Sequence, residues 1–367
     1  MFEFQLAKNE LLAPLLMVAG AVDKRQSLAI LSNILLKTDQ QQLILTATDL
    51  EIEISAYLVC SSSAEEQITV PAKKFIDIVR SLDDDAVAGI KFQASTVVIK
   101  AGRSQFKLAT LPATDFPAIG QDSAEVELEV SRVQLIHLLQ STHFAMSQQD
   151  VRIFLNALLF EFDTNCITTV ATDGHRMAIC KLPCETNNLQ QKLLLPKKGV
   201  QEMLRLLGII ADETVTLSVG KSHLRLKTEK YLFTSKLVEA RFPPYTKAIP
   251  RDNDKFVLVD KDQLKRALSR IVILAHEKSK AVLLHIQEST LTLIANNHEQ
   301  EEATETIEAQ VDGNELKIGI NASYLLDVLN FLPEQYVRLS LSTTDRSILV
   351  ESLQDEQYQY IIMPMKL

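Results

Sequence analysis

The sequence predicts an α+β fold built as three tandem copies of one domain, each with two helices packed on antiparallel sheets. Three observations predict it. The first is a phrase repeated at fixed spacing. Leu45-Thr46-Ala47-Thr48-Asp49 returns as Thr169-Val170-Ala171-Thr172-Asp173 and, degraded, as Leu293-Ile294-Ala295-Asn296-Asn297, with 124 positions from Ala47 to Ala171 and again from Ala171 to Ala295. The second is a strand-to-helix junction about 25 residues further on in every copy. It reads Val70-Pro71-Ala72-Lys73-Lys74-Phe75, then Leu195-Pro196-Lys197-Lys198-Gly199-Val200, then Ile320-Asn321-Ala322-Ser323-Tyr324-Leu325. The third is Phe116-Pro117, which returns as Phe242-Pro243. Function should therefore lie in what a threefold array can do.

Each copy is expected to open with an apolar-periodic helix, over residues 10–19, 131–140 and 260–274. Leu135, Leu138 and Leu139, like Leu264, Leu268 and Ile271, fall on one helix face. Ser131 and Asp260 suit N-caps, because a short side-chain oxygen can accept from the first-turn N–H groups. Strands follow in which polar and apolar residues alternate, such as Leu43–Thr46 and Glu51–Ser55. The second helix starts at the Pro-Lys-Lys junction, and strands such as Thr96–Lys100 and Leu224–Lys227 close the copy. This makes two helices and about eight strands per copy. Polar, turn-forming boundaries at Gln121-Asp122-Ser123-Ala124 and Arg251-Asp252-Asn253-Asp254 give domains 1–124, 125–254 and 255–367. No Gly/Ser or Pro-rich linker separates them, so the copies should pack end to end.

Composition excludes several classes. Apolar residues at 46% and charged residues at 23% describe ordinary globular domains. Met1-Phe2-Glu3-Phe4-Gln5 lacks a basic region ahead of an apolar core, so no secretory signal is expected. No apolar run approaches the roughly 18 residues of a membrane span. Cys180 and Cys184 have a spacing zinc could use, but Cys60 and Cys166 supply no second pair. Buried thiols in a reducing compartment are expected, with no metal.

A search for catalytic chemistry finds none. Asp49 and Asp173 could act as an acid/base or metal pair, but the third copy has Asn297 there, and Asn cannot serve as a carboxylate base. Asp and Asn share the ability to accept backbone N–H bonds in a turn, which is the expected role. Gly220-Lys221-Ser222 resembles the end of a phosphate loop, yet Val215 stands where the first glycine belongs. The seven histidines show no metal spacing, no Gly-x-Ser-x-Gly elbow is present, and Asp83-Asp84-Asp85 reads as a solvated turn. The chain is not expected to be an enzyme or to hold a cofactor.

The net charge of −9 argues against nucleic acid, but its distribution is uneven. Lys73, Lys74 and Arg80 lie on the second helix of copy one, and Lys197, Lys198 and Arg205 occupy the matching places in copy two. Copy three carries Lys261, Lys265, Arg266 and Arg270 on its opening helix. Cations seven or eight apart share a helix face and form stripes. A repeated basic stripe with no base-reading pattern suits the phosphate backbone of duplex nucleic acid.

Taken together, the chain resembles the bacterial DNA polymerase III sliding clamp (beta subunit) family from end to end. The residues that carry the resemblance are Thr46-Ala47-Thr48-Asp49-Leu50-Glu51, Gly102-Arg103-Ser104, Leu111-Pro112-Ala113-Thr114-Asp115-Phe116-Pro117 and Gln149-Asp150-Val151-Arg152. They continue with Val170-Ala171-Thr172-Asp173-Gly174-His175-Arg176, Phe233-Thr234-Ser235-Lys236-Leu237-Val238, Arg241-Phe242-Pro243, Asn296-Asn297 and the ending Met363-Pro364-Met365-Lys366-Leu367. The resemblance implies a head-to-tail homodimer, a six-domain ring around DNA that acts as a processivity factor in replication. Polymerase and nucleotidyltransferase activities would then belong to the complex and not to this subunit. The implied location is the cytoplasm, at replication forks on the nucleoid.

The resemblance also implies residue roles. Arg25 and Gln149 would join the helix cations in contacting DNA, although relatives carry two tyrosines where this chain has Ile153 and Phe154. At the seam, the acidic Glu299, Glu301, Glu302 and Glu305 would face Lys74, Arg103 and Lys107, with Ile273 and Leu274 meeting Phe106 and Leu108. Gln105 stands where many relatives have Arg. A partner-peptide pocket would comprise Leu155, Thr172, Gly174, His175, Arg176, Met177, Pro243, Lys247, Ala248, Asn321 and Tyr324. It would be completed by Ile361, Met363, Pro364, Met365, Lys366 and Leu367. The DNA polymerase III catalytic subunit, the clamp loader, other polymerases, and mismatch-repair or ligase proteins would insert peptides there; flexible methionines suit so shared a site. Two other readings stand beside this one: an enzyme acting on nucleic acid, and a protein scaffold that never meets DNA.

Overall fold

The structure, a computed structural model, describes residues 2–23, 28–39, 41–60, 65–93, 95–120, 126–353 and 357–366. Among them each copy supplies two helices: α1 (Lys8–Val18) and α2 (Ala72–Ser81), α3 (Arg132–His143) and α4 (Lys197–Ile209), α5 (Lys261–Ile271) and α6 (Ala322–Leu329). The copies contribute eight, eight and nine described strands, which matches the expected plan. No described helix is long and apolar enough to cross a membrane.

One expectation is corrected. Each copy opens on a strand before its first helix: Phe2–Ala7, Val126–Ser131 and Lys255–Asp260. The alternation that drives this is present in Val126-Glu127-Leu128-Glu129-Val130, where Leu128 and Val130 are buried and the glutamates are not. Asp260 then caps α5 as expected, its Oδ1 accepting from Gln263 N at 2.9 Å.

The strand-to-helix junctions follow from backbone chemistry. Pro71 and Pro196 are the last residues of the strands Gln67–Pro71 and Gln191–Pro196, and a helix starts at the next residue. Proline has no N–H to give the ladder, so it fits where pairing stops. In copy three Asn321 takes that place and caps α6, accepting from Ser323 N at 2.9 Å.

The chain forms two compact units whose limits do not follow the repeat. The first, Met1–Val133 with Lys198–Leu237, holds a four-stranded sheet that ends on the edge strand Ser104–Ala109. It also holds an eight-stranded sheet in which copy one's strand Ile52–Val59 pairs with copy two's Tyr231–Lys236, setting Ile54 opposite Phe233. The second unit, Gln134–Lys197 with Val238–Leu367, holds a four-stranded sheet with the edge strand Glu302–Glu308. Its nine-stranded sheet joins copy two's Arg176–Pro183 to copy three's Tyr358–Ile362, with Arg176 opposite Ile362 and Met177 opposite Ile361. Copy two thus gives half its strands to each unit.

The repeated phrase has a structural cause. Ala47, Ala171 and Ala295 occupy the same strand of each copy and are buried. The Asp or Asn two residues on holds the turn that follows. Asp49 Oδ1 accepts from Glu51 N and Ile52 N at 2.9 and 2.8 Å, and Asp173 Oδ1 accepts from His175 N and Arg176 N at 2.9 and 3.0 Å. Asn297 Oδ1 accepts from Glu299 N and Glu301 N at 3.0 and 3.1 Å. The turn role expected for these three residues is the one they have. Gly220-Lys221-Ser222 lies between the strands Thr214–Val219 and His223–Lys227, with Gly220 N donating to His223 O. Of the four cysteines expected to be buried, Cys60 and Cys180 are, whereas Cys166 and Cys184 are half-exposed near strand ends.

Candidate functional site

The seam between copies two and three, inside the second unit, assembles a cleft. Pairing of Arg176–Pro183 with Tyr358–Ile362 sets Met177 beside Ile361, and Ile361 beside Leu349 on the next strand. These three join Ala157, Leu159, Val170, Ile179 and Leu194 in one buried apolar cluster. Phe154, Phe242, Tyr245 and Ile249 lie on that cluster only partly buried. The rings of Phe154 and Phe242 meet edge-on at 5.9 Å, and Tyr245 Oη donates to Glu161 Oε2 at 2.7 Å. Burial and that carboxylate push the Tyr245 phenol far up, so it stays a neutral donor.

The turn at 172–176 forms one wall. Thr172 Oγ1 donates to Arg176 O at 2.6 Å and accepts from Gly174 N at 3.1 Å. Gly174 sits at φ +90°, a conformation that glycine tolerates, and a Cβ there would come within 3.3 Å of Arg152 Nη2. Arg176 is a strut. It donates from Nε to Asp173 Oδ2 at 3.1 Å, from Nη1 to Asp327 Oδ2 at 2.5 Å and from Nη2 to Phe144 O at 2.7 Å. Its guanidinium lies over the Tyr324 ring at 4.5 Å. Burial, with Asp173 nearby, pushes the Tyr324 phenol up. Arg176 therefore ties copy two's turn to α6 of copy three and fixes where Tyr324 stands.

The chain end lies against that turn. The last strand closes at Ile362, and the tail beyond it is pinned twice: Met363 N donates to His175 O at 2.9 Å and Met365 N to Gly319 O at 2.8 Å. Met363 remains 48% exposed, with Pro364 and Met365 half-buried beside it. Of the residues expected in the pocket, Thr172, Gly174, His175, Arg176, Met177, Tyr324, Ile361, Met363 and Met365 stand together through these bonds, registers and the Arg176–Tyr324 contact, while Asn321 caps the helix that carries Tyr324. Leu155 is buried beneath, while Pro243, Lys247, Ala248 and Lys366 are exposed. Leu367 lies outside the described residues. Sequence reasoning missed Phe154, Tyr245 and Ile249 as cleft residues; the recurring Phe-Pro anchor at Phe242 was the available signal.

The predicted cations fall into two classes. On α2, Lys73, Lys74 and Arg80 are exposed opposite a buried face of Phe75, Ile76 and Val79. On α5, Arg266 is exposed and Lys265 half-buried, opposite Leu264, Ala267, Leu268 and Ile271. The α4 cations are committed within the chain. Lys197 Nζ reaches Met146 O and Ser147 O at 3.4 and 3.3 Å, and burial lowers its pKa. Lys198 pairs with Asp49, and Arg205 donates to Leu16 O at 3.1 Å, Met17 O at 2.5 Å and Glu202 at 2.7 Å. Gln149 is exposed in a loop that also presents Val151 and Ile153, at 96% and 53% exposure. Arg25 lies outside the described residues.

Both predicted seam surfaces lie on or beside the edge strands of the two four-stranded sheets. Arg103 and Lys107 are exposed beside a half-exposed Phe106, and Lys74 is exposed on α2. Leu108, expected at the apolar centre, is instead buried in its own sheet opposite Val97. Glu299, Glu301 and Glu302 are exposed, Ile273 is 76% exposed and Leu274 is half-buried. Glu305 is held by Arg270, which keeps its carboxyl below the usual range.

Comparison with known proteins accounts for this arrangement. Three profiles of the DNA polymerase III beta subunit match in succession: the N-terminal domain over residues 2–120, the central domain over 129–244 and the C-terminal domain over 246–366. The beta sliding clamp of Pseudomonas aeruginosa is 42% identical over 99% of this chain and all of its own, and that of Vibrio cholerae is 40% identical over both full lengths. The crystal structure of the Pseudomonas aeruginosa DNA polymerase III subunit beta superposes with a TM-score of 0.95 at 40% identity over both full chains. A Caulobacter crescentus beta sliding clamp, crystallised with PEG bound to a putative beta-motif tethering region, superposes at 0.96 and 33% identity, again over both full chains. With every repeat matched in order, this chain belongs to the DNA polymerase III beta subunit family, the sliding clamps.

Proposed function

We propose that this chain is a sliding clamp, the non-catalytic processivity factor of the replicative DNA polymerase III. The observation that carries the reading is the succession of three beta-subunit domains filling the chain. In this reading residues 1–124, 125–254 and 255–367 act as three clamp domains, and two chains close head to tail around duplex DNA in the cytoplasm. The edge strand Ser104–Ala109 of one chain meets Glu302–Glu308 of the other, with basic Lys74, Arg103 and Lys107 facing Glu299, Glu301 and Glu302 and with Phe106 against Ile273. Exposed cations on α2 and α5, with Gln149, attract phosphates without reading bases, while a net charge of −9 keeps the exterior off random DNA.

The cleft at the second seam takes a short apolar peptide from the polymerase catalytic subunit, the clamp loader, other polymerases, and mismatch-repair or ligase proteins. Its support is the half-exposed Phe242, Tyr245 and Met363 over a buried apolar floor. The test is topological. Protein assembled on nicked circular DNA by a clamp loader should stay bound and should be released when the circle is linearised. Equal retention on both forms, or magnesium-dependent turnover of DNA by the pure protein, would sink the reading.

A further inference from the structure

A groove of about 490 Å³ lies between the segment 246–252 and the hairpin turn at 346–347, and its lining includes Lys247 and Ala248, two of the residues expected in the peptide pocket. It continues from the cleft: Ile249 lines it and also packs on the apolar cluster, and Ser347 precedes Ile348, which is paired with Ile362. Its charged lining is Lys247, Arg251 and Arg346 against Asp252, all exposed. Arg346 sits in a closed turn, its N donating to Thr343 O at 3.2 Å. The neighbouring Asp345 accepts from Thr343 Oγ1 at 2.6 Å, and that bond holds its carboxyl below the usual range.

We propose that this groove selects clamp-binding peptides that carry carboxylates beside their apolar anchors, with Arg251 and Arg346 as the specificity-determining residues. The inference rests on the cleft being a peptide site. Ile249 both packs on the apolar cluster and lines the groove, so a peptide that runs from the cluster over Ile249 meets three cations and one carboxylate. Exposed pairs of this kind discriminate modestly and are screened by salt.

The test uses the full-length chain and two fluorescent peptides with the same Leu-Phe anchors, one flanked by aspartates and one by asparagines. Wild type should bind the aspartate peptide about fivefold more tightly at low salt, with the ratio shrinking as salt rises. Arg251→Ser with Arg346→Ser should bring the ratio to one through loss of aspartate-peptide affinity. Equal binding of both peptides by wild type, or a ratio that persists in the double variant, overturns the inference alone. If neither peptide binds wild type, the cleft reading falls and takes the inference with it.

Discussion

Asp49 and Asp173, 124 positions apart, make the same pair of backbone bonds with Oδ1 and differ only in what Oδ2 holds: Lys198 of α4 for Asp49, and Arg176 of its own turn for Asp173. The repeat keeps the local duty, and each copy turns the spare oxygen to its own tertiary bond. Separating the two duties of Asp49 gives the first prediction. Asp49→Asn keeps the acceptor and loses the ion pair, at about 1 kcal/mol; Asp49→Ala also orphans two N–H groups, for about 3 kcal/mol in all. Urea denaturation of the full chain measures both, and equal costs would mean the turn bonds contribute nothing.

The helix cations should separate into binders and braces. Lys73→Gln with Arg80→Gln and Arg266→Gln should weaken DNA binding and flatten its salt dependence by about one unit of slope for each phosphate no longer neutralised. Stability should not change. Arg205→Gln should instead cost about 2 kcal/mol of stability, because its guanidinium satisfies the last-turn carbonyls of α1 at Leu16 and Met17. A salt slope that ignores the first set would move the DNA path elsewhere.

Asp150 offers a pH test in the exposed loop beside the cleft. Hydrogen bonds from the Arg152 side chain and backbone hold its carboxyl down to about 2. A carboxyl lowered on folding stabilises the folded loop above the ordinary carboxylate range of about 3.9. That contribution should fade as pH falls from there through about 2. Carboxyl-detected NMR should find Asp150 still ionised at pH 3, and Arg152→Ala should return it toward the ordinary value. Ordinary titration in the wild type would show that the pair does not form in solution.

What the sequence made legible was periodic or local. The anchors, the junctions and the Asx turns each write themselves into a few consecutive residues. The leading strands escaped notice although Val126-Glu127-Leu128-Glu129-Val130 alternates cleanly, because the helix behind them carries the longer periodic signal. The joining of Ile52–Val59 to Tyr231–Lys236 leaves no local pattern, since either strand alternates as well alone as paired. The commitments of Lys198 and Arg205 were hidden for the same reason: Asp49 and the α1 terminus are neighbours of α4 only after the chain has folded. The proposed cleft could be named only through the chain's resemblance to a family, because its residues come from five separated stretches.

The partner cleft should be separable from the fold. Deleting residues 363–367 removes Met363, Pro364 and Met365 while leaving the strand Tyr358–Ile362 and all its ladder bonds. Among the described bonds it removes those from Met363 N to His175 O and from Met365 N to Gly319 O, so stability should fall by no more than about 2 kcal/mol. Binding of a Leu- and Phe-rich polymerase peptide should fall by at least about 2 kcal/mol, since the exposed methionine and its neighbours form one wall of the cleft. Dimer mass and retention on circular DNA, once assembled, should survive, because both seam edges lie elsewhere. Loader-dependent assembly and processive synthesis should fail. If the truncated chain instead melts many degrees lower or loses its dimer, the tail is a structural strap, and the cleft must draw its affinity from Phe242, Tyr245 and Ile249 alone.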